Sequence, residues 1–244
     1  MTTIKQSQNI RKGLSARESR LLSRLASGGH QIISIDDIET TLEVSPNTAR
    51  EIAARLTEKG WLDRLFAGTY LIIPLSAGEA SVYTTHEYLI AAHIAEPMYI
   101  GYYSALSHHG LTEQVPRTMY VVTPTRAQSR EIHGVPYRVT TVTERKFFGF
   151  EPTSIEGTTV QVSDLEKTLV DCADHPEFCG GLRELATAMR TADERGCDWV
   201  TVGEYLERLD NGAATKRIVY LADQLGIDLP AREELVASFT SGYS

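Results

Sequence analysis

Apolar residues recur three and four apart along much of the chain, each run preceded by residues suited to a helix start. Ser15-Ala-Arg-Glu18, Thr84-Thr-His-Glu87, Ser163-Asp-Leu-Glu166 and Thr201-Val-Gly-Glu204 each fit a capping box. In that motif a hydroxyl and a carboxylate satisfy the unpaired N–H groups of the first helical turn. The pattern predicts helices near 15–27, 85–95, 163–174 and 201–210, with further helices near 35–42, 46–59, 102–109, 182–195 and 213–225. Gly60, Gly110, Gly196, Gly212 and Gly226 stand where C-terminal caps should fall. Shorter β-rich runs bounded by Gly, Pro and Thr predict strands at 62–66, 69–73, 119–123, 137–142, 146–150 and 158–162. The small, polar segment 74–81 after a predicted strand is the expected linker.

Residues 15–73 read in order as helix, short strand, helix, turn, helix and two-stranded hairpin. Ser45 suits the cap of the third helix and Pro46 its first position. Within that helix Ala49, Ile52, Ala53 and Leu56 form the inward stripe, while Asn47, Arg50, Glu51, Ala54 and Arg55 lie on or beside the opposite arc. This order is that of a winged helix-turn-helix, whose recognition helix presents its first residues to base edges in the major groove. Asn pairs with adenine and Arg with guanine. The expected base and backbone readers are Ser45, Asn47, Thr48, Arg50 and Arg55, with Arg64 on the wing; Lys12, Arg17 and Arg20 are the expected phosphate anchors. A winged helix that binds protein is the alternative, since Glu51 and Glu58 sit on the same helix.

Together these elements give an α+β protein. An N-terminal winged helix-turn-helix (1–75) is followed by a larger mixed α/β domain (82–244), α+β to about 180 and then mainly helical. Length agrees, because 244 residues make one large or two modest domains. With 42% hydrophobic and 23% charged residues, the chain is able to bury a core, which excludes disordered, collagen-like and disulfide-scaffold classes. No run approaches the ~20 apolar residues of a membrane span, and the first residues lack a signal peptide's apolar stretch. With three cysteines, an odd number, a reduced cytoplasmic location is expected. Charge changes the picture once it is divided. The net −8 hides +2 over residues 1–75 and −10 over the remainder. Lys5, Arg11, Lys12, Arg17, Arg20 and Arg24 against Glu18 make a basic end on an acidic body, an asymmetry that points to an anionic partner at that end or to no more than a solvated terminus.

Four constellations invite enzyme chemistry. Asp164, Glu166 and Lys167 with Asp171 have the residue types of a metal-dependent nuclease or nucleotidyltransferase. However, a strand would turn the adjacent Glu166 and Lys167 to opposite faces, and the capping box makes the two acids helix-start residues. Ser104, His108 and His109 lack the Gly-x-Ser-x-Gly elbow of a serine nucleophile and fit a helix ending at Gly110. Cys172-x-x-His175-x-x-x-Cys179 with Cys197 could ligate zinc, but the spacing is unpaired and Pro176 marks a helix end, so a packed thiol is the simpler reading. Both common phosphate-loop patterns are absent, and Gly180-Gly181 fits a tight turn. No catalytic, cofactor-binding or metal-binding residue is assigned, and no cofactor is expected.

Several phrases occur in a fixed order behind the winged helix: Tyr99-Ile-Gly-Tyr-Tyr-Ser-Ala-Leu-Ser-His-His-Gly-Leu111, Tyr120-Val-Val-Thr-Pro124, Phe147-Phe-Gly-Phe150, Val162-Ser-Asp-Leu-Glu-Lys-Thr-Leu-Val-Asp171 and Gly180-Gly-Leu182. Through them the chain resembles the AbiEi antitoxins of abortive-infection toxin–antitoxin systems over about residues 15–195. The resemblance implies a non-enzymatic repressor that binds inverted repeats in its own operon through the winged helix. It also implies a C-terminal domain that counters a nucleotidyltransferase-like toxin, directly or indirectly. The rival expectations are a ligand-responsive winged-helix regulator and a metal-dependent nuclease or nucleotidyltransferase relative.

Overall fold

The structure is a computed structural model that describes residues 2–3, 11–78, 83–230 and 232–240. Lys5 of the basic end and residues 79–81 of the expected linker lie outside them. The chain divides into two compact units. The first comprises Met1–His93, Glu131–Val135 and Ser154–Thr158; the second comprises Ile94–Arg130, Pro136–Thr153 and Thr159–Ser244.

The first unit runs β1 (Thr2–Thr3), α1 (Ala16–Ser27), β2 (Ile32–Ser34), α2 (Ile35–Leu42), α3 (Pro46–Glu58), β3 (Leu62–Phe66), β4 (Thr69–Ile72), β5 (Thr84–Thr85) and α4 (Glu87–Ala91). Strands β2, β4 and β3 form an antiparallel sheet in that order, with Ile33 and Arg64 flanking Tyr70. Gly68, at φ +77°, supplies the left-handed residue that turns β3 into β4. The core gathers the apolar stripes of the three helices: Leu21, Leu22 and Leu25 of α1, Ile38 of α2, and Ile52 and Leu56 of α3. Each stripe repeats at helical spacing, so the three helices bury one face each and leave the other in water. This is the winged-helix arrangement the sequence predicts.

The chain continues with β6 (Tyr99–Ile100), α5 (Tyr102–His108), β7 (Met119–Thr123), β8 (Arg130–Ile132), β9 (Val135–Thr141), β10 (Phe150–Ile155), β11 (Thr158–Ser163), α6 (Leu165–Asp174), α7 (Leu182–Glu194), α8 (Trp199–Leu209), α9 (Gly212–Leu225) and α10 (Arg232–Thr240), all in the second unit except most of β8, the first residue of β9 and the facing ends of β10 and β11, which fall in the first. Its six-stranded sheet has the order β10-β11-β6-β7-β9-β8, with β11–β6 and β7–β9 parallel and β6–β7 antiparallel. Every residue of β7 is buried, as suits an unbroken apolar run flanked by strands on both sides. Helix α6 is enclosed: all of Lys167 to Ala173 is buried, and Leu169 shares a core with Leu185, Met189, Val202 and Ile218. The fold is thus a winged helix followed by a mixed α/β part with a helical end. Among the described residues, no helix is long and apolar enough to cross a membrane.

Several boundaries differ from expectation. The predicted strand at 146–150 is a 3-10 turn, Glu144–Lys146, and the strand begins at Phe150. Gly149 breaks it, sitting at φ +67° where a Cβ would lie 2.8 Å from that of Lys167. The helix expected at 85–95 is the short α4, with Thr84 and Thr85 in β5 instead. Three capping boxes move: the caps are His86, Asp164 and Asp198, whose side chains accept from backbone N–H groups two or three residues on. Gly212 opens α9 rather than closing α8, which ends on Asp210 in a left-handed conformation.

Candidate nucleic-acid interface

The turn into α3 is built from local chemistry. Ser34 and Asp37 complete a capping box at the start of α2, and Glu43, left-handed at φ +52°, ends that helix. Ser45 Oγ then accepts from the Thr48 N–H at 3.4 Å and lies 3.0 Å from Thr48 Oγ1. Pro46 occupies the first turn, where its missing N–H is no loss.

Burial along α3 follows the sequence pattern. Ala49, Ile52, Ala53 and Leu56 are buried, and Asn47, Arg50, Glu51, Ala54 and Arg55 are exposed. Ser45, Asn47, Thr48 and Arg50 come together within the first turn and a half of the helix. Arg50 Nη1 donates to Asn47 Oδ1 at 3.1 Å, joining the two expected base readers into one exposed amide–guanidinium pair.

The other expected contacts divide. Arg17 and Arg20 are exposed on α1, and Arg64 is exposed on β3 with its Nε 3.5 Å from the Phe66 carbonyl. Arg55 is half exposed, but its Nε lies 3.7 Å from Glu18 Oε1, so a carboxylate already faces part of its charge. Lys12 is not gathered with Asn47. Its ammonium pairs with Glu58 at 3.3 Å at the far end of α3, about 16 Å along the helix axis at 1.5 Å per residue. Its backbone is fixed there too, with N–H donating to the Lys59 carbonyl and its own carbonyl accepting from Trp61 Nε1.

The sequence reading missed Lys59 and Arg11 as organising cations. Lys59 bonds the buried Glu18 at 2.6 Å. Burial alone would raise the Glu18 carboxyl, but the bonds from Lys59 and Ser15 outweigh it and hold the pKa at about 2. Arg11 lies over the Trp61 ring at 4.6 Å and donates to the carbonyls of Ile73 and Pro74. The extra basic charge of the segment was legible in the sequence; the partners were not, being more than forty residues away.

The residues weighed for catalysis are occupied structurally. Asp164 caps α6 and also accepts from Tyr205 Oη at 2.9 Å, and burial raises its carboxyl. Glu166 accepts from the Asp198 N–H at 3.0 Å. Ser104, buried, donates to the Thr118 carbonyl and accepts from the Tyr120 N–H, while His109 Nε2 meets the Ser163 carbonyl at 2.7 Å. The Cys179 thiol donates to the carbonyls of Cys172 and His175. Among the described residues no three His, Cys, Asp or Glu side chains gather as metal ligands.

A capped helix set behind a tight turn, an opposed helix and a two-stranded wing define a winged helix-turn-helix protein. Residues 20–73, spanning α1 to β4, match the model of a family described as "Transcriptional regulator, AbiEi antitoxin". The resemblance to AbiEi antitoxins read from the sequence is borne out over that segment. No curated protein matches the chain. The crystal structure of the RV2827C protein from Mycobacterium tuberculosis is similar over 97% of this chain and 86% of that one, with a TM-score of 0.67 at 19% identity. At that identity the likeness is one of fold.

Proposed function

We propose that the chain is an antitoxin of an AbiE-type system that represses its own operon by binding inverted repeats through α3 and the wing. The observation that carries this reading is the exposed Asn47–Arg50 pair at the start of α3, beside a Ser45 cap and opposite a fully buried stripe. Amide and guanidinium groups read base edges bidentately in the major groove. The match of residues 20–73 to a regulator and antitoxin family supports the same assignment. The proposed readers are Ser45, Asn47, Thr48, Arg50 and Arg64, with Arg17 and Arg20 on phosphates; Arg55 and Lys12 contribute less because carboxylates already face them. Residues 1–75 form the DNA-binding part, and residues 82–244 counter a nucleotidyltransferase-like toxin. Two copies on an inverted repeat then need half-sites about 10 bp apart, or multiples of that, centre to centre.

The test is fluorescence anisotropy of the full chain on duplex DNA from upstream of its own gene, against a shuffled duplex, at two salt concentrations. Preference for the native sequence with affinity falling steeply in salt supports repression. Equal, weak binding to both duplexes removes it and favours a winged helix that meets protein. Co-expression with the adjacent gene product tests the antitoxin half: if growth is not rescued, that half fails. A cleft beside α1 favours a second reading, a regulator that answers to a small molecule.

A further inference from the structure

The first unit contains a cleft of about 540 Å³, within the roughly 300–1,000 Å³ of small-molecule sites. Leu22 and Ala26 of α1 line it together with Trp61 and Ile73, and Tyr83 and Glu156 complete its polar side. The Trp61 N–H is already committed to the Lys12 carbonyl, so its indole presents carbon surface to the space. The polar side is ordered: Tyr83 Oη donates to Gln31 Oε1 at 3.4 Å, and Gln31 Nε2 donates to the Glu156 backbone carbonyl at 3.5 Å. The Glu156 side chain has no hydrogen bond or ion pair among the described residues, though its charge is close enough to raise the Tyr83 hydroxyl beyond what burial does. Glu156 itself is held at φ +50°.

We propose that this cleft binds a small aromatic amine, its ring against Trp61, Leu22 and Ile73 and its ammonium on the Glu156 carboxylate. Charge selects the class: among the described residues that line the cleft Glu156 is the one carboxylate and none is Lys or Arg, with His30 the one imidazole. The Arg11 guanidinium over Trp61 is engaged by the Ile73 and Pro74 carbonyls, so the amine gains on Glu156 a charge-assisted hydrogen bond that an anionic compound of the same shape lacks. The site is independent of operator binding and stands or falls without it.

Calorimetric titration of the full chain with 1-naphthylmethylamine and with 1-naphthylacetate tests the proposal. The amine should bind saturably, one per chain, and the acetate about tenfold more weakly or worse, the scale of one hydrogen bond to a charged group. Ala26→Phe, a substitution at an exposed helical position that fills the cleft, should abolish amine binding. Ser23→Trp on the same wall serves as a second block, and circular dichroism checks that each variant folds. Glu156→Gln should bring amine and acetate to similar affinity. Amine and acetate binding alike to the native chain, no binding of the amine, or full amine binding in the filled variants would each overturn the proposal.

Discussion

Glu18 in the first turn of α1 and Lys59 at the end of α3 form a 2.6 Å ion pair, with the carboxylate almost wholly buried. The same carboxylate accepts from the Ser15 N–H at 2.8 Å, so one residue closes the capping box of α1 and fastens α3 to it. The orientation of the recognition helix therefore depends on a group that sequence reading assigns to a local helix start.

Because folding depresses the Glu18 pKa from 4.5 to about 2, the pair stabilises the fold fully above pH 4.5 and is lost as pH falls toward 2. Glu18→Gln isolates the charge, since Gln also serves a capping box. Its expected cost is roughly 2–3 kcal/mol at pH 7. In urea unfolding, the gap between wild type and variant should close between pH 5 and pH 2; a constant gap would assign the effect to packing.

Arg50→Ala removes one half of the exposed pair on α3 without touching the core. Specific DNA affinity should fall by about 1–3 kcal/mol, with discrimination relaxed at one base pair and the melting temperature unchanged. Unaltered affinity and site preference would take Arg50 out of the interface.

Ser45→Ala deletes the cap of α3, leaving the Thr48 N–H unpaired. A loss of about 1 kcal/mol is expected, read as a lower urea midpoint at unchanged slope. A midpoint equal to that of wild type would mean that water serves this exposed N–H as well as the hydroxyl does.

Lys167 is wholly buried, with Nζ bonded to Asp171 and 3.1 Å from Tyr99 Oη, and 4.7 Å from the Phe148 ring centre. Lys167→Met strands a buried carboxylate, and about 3–5 kcal/mol should be lost. Adding Asp171→Leu should recover most of it. A double variant no more stable than the single would show that the loss is one of shape rather than of charge.

The winged helix was legible because its signals are local. The Ser15 box, the Ser45-Pro46 start and the stripe of Ala49, Ile52, Ala53 and Leu56 each lie within one element, and each is found as read. The second unit was less legible where tertiary contacts override local pattern. Phe147 and Phe148 look like strand residues, but Gly149 must pass tightly over Lys167, and the chain turns before β10 begins. Strand β6 is two residues long and is held by neighbours from residues 119–123 and 158–163, so no periodicity within it could reveal it.

Sequence alone determined which faces of the helices are buried and where the recognition helix begins, because spacing and caps act over four residues at most. Only the tertiary structure decided which charges remain available to a partner. In sequence Arg55 has the same expected role as Arg50, and Lys12 is a phosphate anchor, yet Glu18 and Glu58 face them, while Arg50 is left with a neutral amide. Charge availability depends on distances between side chains far apart in the chain, and a linear pattern does not carry those distances.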